Sequence, residues 1–210
     1  MEKPTEKEMK KALVARQGKE WTEKFAASVV AVCGLGGLGS NIATALARAG
    51  VGRLILIDFD RVELSNLNRQ QYKVSQIGMF KTEALAKNLL EIAPYLHLTK
   101  YSCRITPDNA LRLLADADLV CEAFDDAEEK AMLTDIVLEQ MPETVLVSAS
   151  GMAGLGPAED IVTRKVSDRF YVCGDETSDA ANGAGLVSPR VMLCAAQQAH
   201  IALRILAGEE

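Results

Sequence analysis

The chain has 210 residues, of which 49% are hydrophobic and 25% charged, the profile of an ordinary globular protein with one sizeable core. Its formal charge of -6, with no basic tract, makes it a poor candidate for backbone-driven binding of nucleic acid, although a local basic pocket remains compatible. Met1 to Glu20 carries both signs of charge without a signal-peptide core, and no apolar run approaches the roughly 20 residues a bilayer span needs, so a cytoplasmic location is expected.

Residues 1–26 mix charges with Leu13, Val14, Trp21 and Phe25, which predicts one amphipathic helix or two short ones leading into the core. Ser28 to Cys33 is β-branched and runs into glycines, as a buried strand does. Ser40 to Ala49 has helical composition and stops at Gly50. Arg53 to Ile57 predicts a second buried strand ending at Asp58. Arg61 to Ile77 is polar and irregular, and Lys81 to Ile92 is helical up to Pro94. Leu96–Tyr101, Asp118–Cys121, Thr144–Ser148 and Ile161–Val166 follow as strands. Pro107–Leu114, Ala127–Gln140 and Pro189–Leu206 follow as helices. Residues 169–185 are rich in Gly, Asp and Ser and are expected to form a mobile loop. Strands alternate with helices and no linker intervenes. The expected class is α/β, Rossmann-like, with a mainly parallel sheet flanked by helices in a single domain spanning 1–210.

Gly34, Gly36 and Gly39 form G-x-G-x-x-G between a predicted strand and a predicted helix. The first glycine allows a tight turn, the second lets backbone approach a phosphate, and the third lets helix pack on strand. Asp58 follows about twenty residues on, at a strand end, where a carboxylate can accept ribose hydroxyls. To this point NAD and ATP are served equally. Arg69 and Lys81 tilt the balance, because nucleophilic attack on an α-phosphate needs cations around the developing charge, whereas a nicotinamide needs an apolar slot. Both are expected at the surface, so replacing either by alanine should leave folding unchanged.

The segments GLGGLGS at 34–40, DFD at 58–60, SNLNRQ at 65–70 and the following Lys81 resemble the ThiF/MoeB/HesA adenylyltransferases, relatives of the ubiquitin-activating enzymes. The resemblance runs from about Phe25 to Gln140. SGMAGLG at 150–156 and FYVCGDE at 170–176 look most like the short ThiF-like proteins linked to thiamine biosynthesis. What the resemblance implies is ATP-dependent adenylation of the C-terminal glycine of a ubiquitin-like sulfur carrier ending in Gly-Gly. It extends the nucleotide contacts to Gly37, Leu38, Asp60, Asn66 and Gln70. Arg69 and Lys81 would act on the phosphates, and Asp125 would hold Mg²⁺ through ATP. The family's usual acid just before that aspartate is here Glu122. Family dimers lend an arginine to the partner's site, and Arg16 resembles it, which implies a homodimer.

Many members hold zinc with two C-x-x-C pairs. The five cysteines here, Cys33, Cys103, Cys121, Cys173 and Cys194, include no such pair, so neither zinc nor a disulfide is expected. Cys173 falls in the candidate loop and is a candidate catalytic thiol, although the acids beside it should raise its pKa. Cys33, Cys121 and Cys194 sit in apolar runs and read as core, and Met79, Met132 and Met192 fit core or helix-packing positions. His97 and His200 have no ligand-spaced company and read as structural. Two further readings stay open: an NAD(P)-dependent oxidoreductase using the same loop, and a non-catalytic partner of an activating enzyme.

Overall fold

The computed structural model describes residues 3–180 and 183–210. Helices α1 (Glu6–Gln17) and α2 (Lys19–Ala27) lead into the alternating series β1 (Val29–Cys33), α3 (Gly37–Ala49), β2 (Arg53–Ile57), α4 (Lys81–Ile92), β3 (His97–Tyr101), α5 (Ala110–Leu114), β4 (Leu119–Glu122), α6 (Ala127–Gln140) and β5 (Val145–Ala149). The chain ends with the hairpin β6 (Val162–Ser167) and β7 (Phe170–Gly174), then α7 (Ser188–Ala207). The sheet order is β3-β2-β1-β4-β5-β7-β6. Every pairing is parallel except β6 with β7.

The central strands are apolar on both faces because both faces are covered. Val30, Val32, Leu54, Leu56, Cys121 and Val147 pack in a core with residues of α3, α4 and α7. Ala31, Cys33, Ile55, Ile57, Val120 and Leu146 pack in another with residues of α5 and α6. The two-residue alternation of a strand sorts neighbours such as Leu54 and Ile55 into different cores.

Helix α1 fully buries none of its residues, and Leu13 packs beside Gly50 while polar contacts add to its placement. Its capping box pairs Thr5 with Glu8, and Gln17 donates to the carbonyl of Ala49 at 2.9 Å. Tyr95 donates to the carbonyl of Pro4. Of the two expected arrangements, one amphipathic helix or two short ones, the chain forms two, and only α2 enters the core, through Thr22 and Phe25.

One sequence expectation fails here. Residues 169–185 do not form one loop, because Phe170–Gly174 is strand β7, inserted between β5 and β6. Glycine, aspartate and serine crowd only the end of that segment, while FYVCG alternates as a strand does, with Tyr171 and Cys173 buried. The loop proper begins at Asp175, and Ala181 and Asn182 within it lie outside the described residues.

Gly39 shows why the third loop glycine is needed. A side-chain carbon there would run into the backbone carbonyl of Gly34 and press on Val32. Gly39→Ala should lower stability by about 2–4 kcal/mol through overpacking at a backbone contact. Urea unfolding of the variant beside the parent chain measures it.

Candidate nucleotide site

Strand order reverses between β1 and β4, and a cleft of about 640 Å³ opens at the carboxyl ends of the strands there. Open α/β sheets place their ligands at such a switch point. Its walls include Gly34, Gly36, Gly37, Leu38, Asp58, Asp60, Asn66, Arg69, Gln70, Lys81 and Asp125. The structure thus gathers into one cavity residues that are far apart in the chain. Gly39 does not line it and serves helix packing instead.

The loop from β1 to α3 is held rigidly. Gly34 has a φ of +88°, and a side chain there would meet the Ala123 carbonyl at 2.7 Å. Leu35 donates its N–H to Asp58 Oδ2 at 2.6 Å, while its carbonyl accepts from the Tyr72 hydroxyl at 2.8 Å. Helix α3 then starts from Gly36, which has no side chain to cap it. The first-turn N–H groups therefore face the cleft without an internal acceptor, the arrangement that attracts an anion.

Asp58 lines the cleft and also braces the glycine loop. Its residue is 8% exposed, and its second oxygen accepts the Asp60 N–H at 2.7 Å. Burial pushes its carboxyl up, and nearby Lys81 and the two backbone N–H groups pull the other way. Asp58 is committed to the loop, whereas Asp60 is half exposed and turned to the cleft. Both acids line the cleft, and Asp60 offers it the more exposed carboxylate.

Lys81 is also more deeply placed than expected, at 6% exposure. As the first residue of α4 it reaches Asp60 Oδ2 at 2.7 Å and Asp58 Oδ2 at 3.8 Å. It is a buried counter-ion, not a surface charge. Removing it strands two acids, so its loss should destabilise the fold, contrary to the sequence expectation. Arg69 is half-buried on a 3₁₀-rich segment and donates only to the Ser65 carbonyl and Asn68 Oδ1. Gln70 is 8% exposed, and its side-chain carbonyl has no hydrogen-bond partner.

Asp125 and Asp126 divide two tasks. Asp126 caps α6, accepting from the N–H groups of Glu128 and Glu129. Asp125 is exposed on the cleft wall and has no hydrogen bond or ion pair to another described side chain. Among the described residues no group of three His, Cys, Asp or Glu could hold a metal by itself. A single carboxylate completed by phosphate oxygens suits Mg²⁺.

The remaining candidates lie elsewhere. Arg16 is exposed on α1, beside the last turn of α3, whereas the cleft meets the first turn. Thirteen residues at about 1.5 Å each separate the two ends. Cys173 is corrected outright. It is fully buried on β7, and burial pushes its thiol up to about 11, with the Thr163 hydroxyl opposing only weakly. A group that neither meets solvent nor ionises near neutrality is not a nucleophile. Cys33, Cys121 and Cys194 are buried, as expected. His97, His200 and Met192 are exposed.

Sequence reasoning missed several cleft residues. Glu122 is fully buried and accepts from Ser148, from the Phe124 N–H and from Lys130 at 2.9 Å, and Lys130 lines the cleft. The Arg104 guanidinium stacks 4.4 Å from the Phe59 ring and pairs with Glu129. No sequence motif marks Lys130 or Arg104, because a helix lysine and a post-strand arginine look like surface charges.

An anion-binding helix terminus opposite cations and a free acid defines an α/β nucleotide-binding domain. Residues 9–210 match the model of the ThiF family, and the chain belongs to that family. It is 30% identical over 186 residues to the adenylyltransferase and sulfurtransferase UBA4 of Candida glabrata, covering 85% of this chain and 42% of that protein. It is 36% identical over 124 residues to a sulfur carrier protein adenylyltransferase of Thermus thermophilus, covering 59% of this chain and 46% of that one. The chain thus spans less than half the length of these relatives. The fold matches ATP-bound tRNA N6-threonylcarbamoyladenosine dehydratase of E. coli with a TM-score of 0.86 at 23% identity, covering 97% and 95% of the two chains.

Cys103 is half-buried and lines the cleft, unlike the four sealed thiols. N-ethylmaleimide on folded protein should modify Cys103 first, and ATP should slow it. Mass mapping that finds Cys173 modified at a comparable rate would contradict the burial described.

Proposed function

We propose that the chain binds ATP in this cleft and adenylates a carboxylate. The acceptor is the C-terminal glycine of a ubiquitin-like sulfur-carrier protein of the ThiS kind, in sulfur-transfer or thiamine biosynthesis. One observation carries the reading: the uncapped start of α3 shares a single cavity with Arg69, Lys81 and Asp125. The family membership and the two named adenylyltransferases support it.

In this reading the triphosphate lies against the N–H groups of Gly37 and Leu38, with the ribose hydroxyls donating to Asp60. A carboxylate oxygen of the acceptor attacks the α-phosphorus. One O–P bond forms, the bond from the α-phosphorus to the bridging oxygen breaks, and that electron pair leaves with pyrophosphate. Arg69, with no carboxylate partner of its own, and Lys81 stabilise the charge that builds on the phosphoryl oxygens. Gln70 offers a buried polar group at the loop. Asp125 would hold Mg²⁺, which when bound would supply positive charge against the charge developing on the phosphates. Arg16 cannot reach this chain's own cleft and would serve the partner's cleft in a homodimer.

The far half of the cleft favours a polypeptide tail. It is lined by Ser150, Gly151, Met152, Ala153 and Glu176 to Ala180, mostly small or acidic groups, with Lys130 at its edge on the Ala149 carbonyl and Arg164 already paired with Glu176. The cations beside it are engaged by Glu122 and Glu176, so it offers a phosphate-bearing polymer little free counter-charge, and the net charge of -6 adds to this. The same acidic wall is a poor nicotinamide slot. The retained Arg69, Lys81 and Asp125 argue against a non-catalytic partner.

ATP–pyrophosphate exchange with a panel of carriers ending in Gly-Gly tests the proposal, beside threonylcarbamoyladenosine-bearing tRNA as the competing acceptor. Exchange that depends on a carrier is expected, and activity with the tRNA alone would overturn the choice of acceptor. Arg69→Ala and Lys81→Ala should each lower exchange by about 10²-fold. Thermal melting should separate them: Lys81→Ala loses stability and Arg69→Ala does not.

A further inference from the structure

Arg190 and Asp175 form an ion pair that the nucleotide chemistry does not use. Their side chains are both 6% exposed, with Arg190 Nη2 to Asp175 Oδ2 at 2.6 Å. Arg190 stands in the first turn of α7. Its Nε donates to the Ala153 carbonyl at 3.1 Å, and its Nη1 donates to the carbonyls of Gly156 and Pro157 at 2.7 Å. Asp175 in turn accepts the N–H groups of Thr177 and Ser178. Burial works to raise its carboxyl, but those N–H groups and Arg190 outweigh burial and hold it well below the usual range.

The pair does not line the cleft, yet it grips both segments that wall the far half, Ser150–Ala153 and Glu176–Ala180. Direct bonds stitch these segments together. Asp175 and Glu176 donate their N–H groups to the carbonyls of Gly151 and Ser150, and Ala153 donates to Ser178 Oγ. Gly151, at a φ of +80°, leaves space that any side chain would take from Asp175. Glu176 takes a φ of +54° and is held from the other side by Arg164, at 2.8 and 2.7 Å. Two consecutive acids are thus clamped by arginines on α7 and β6, while the glycine loop is held by a separate set of bonds through Asp58 and Tyr72.

Buried ion pairs are poor sources of net stability but strict in direction. Resting on the adenylation reading, we propose that Arg190 and Asp175 are positioning residues for the acceptor half of the cleft. They fix the wall that orients the incoming carboxylate-bearing chain end and leave nucleotide affinity untouched.

The test compares Arg190→Met, Arg190→Lys and the charge-free double variant Arg190→Met with Asp175→Asn, which keeps no unpaired buried charge if the single variant fails to fold. Hydrogen exchange should rise about tenfold or more in 150–157 and 176–180, and stay unchanged in 34–41. Calorimetry should give an ATP Kd within about twofold of the parent. In carrier-dependent exchange, the KM for the carrier should rise about tenfold with kcat little changed, and Arg190→Lys should recover part of it. ATP affinity falling in step with carrier KM would overturn the proposal, as would an unchanged carrier KM in a variant whose wall has loosened. If no carrier supports exchange by the parent chain, the adenylation reading fails. Hydrogen exchange and calorimetry then still decide whether the pair holds the wall independently of the nucleotide loop.

Discussion

The buried carboxylate of Asp58 is the constraint on which the nucleotide half depends. It sits at the end of β2 and accepts two backbone N–H groups, one from Leu35 in the glycine loop and one from Asp60. Strand β2 thereby dictates the shape of a loop that leaves β1. Lys81 supplies the counter-charge that makes such a buried acid tolerable, and α4 is anchored to the same point by the Lys81 N–H on the Asp60 carbonyl. Glycine loop, Asp60 and Lys81 are one connected unit. A change at any member is felt at the others, and single substitutions there should not add.

Charge within the cleft is distributed by the same logic. Among the described residues lining it, Lys81 faces Asp58 and Asp60, Lys130 faces Glu122, and Arg104 faces Glu129. Arg69 alone among these cations has no carboxylate within ion-pair distance. Its guanidinium rests on neutral oxygens and has electrostatic energy to gain from an arriving phosphate, where the others would have to share theirs.

How much of this was legible in the residues follows from the range of the interactions. β1, α3, β2 and α4 are marked by local signals: β-branched runs, glycine punctuation, and apolar spacing. The gathering of Gly34, Arg69, Lys81 and Asp125 followed from the family resemblance, which ties motif to place. Strand β7 was hidden because its glycine and acids lie at its end and colour the whole segment as loop. The burial of Lys81 and the sealing of Cys173 were illegible for a different reason. Each depends on elements contributed from elsewhere, the two acids beyond β2 in one case and the cover of α7 and β6 in the other. The clamp of Arg190 on Asp175 joins α7 to the turn after β7 and leaves no periodic trace at all.

The pairing of β1 with β4 carries one further implication, for the order in which the molecule is made. Val30 lies opposite Leu119 and Cys33 opposite Glu122, so the floor of the nucleotide site is closed by partners nearly ninety residues apart. Gly34 is seated only when the Ala123 carbonyl arrives beside it. A chain emerging from the ribosome carries its complete glycine motif long before it has anything to press that motif into shape. Closing such long loops is slow in folding terms. The site therefore needs β4 beside β1 to be complete, and the segment that spells its signature is not enough to form it.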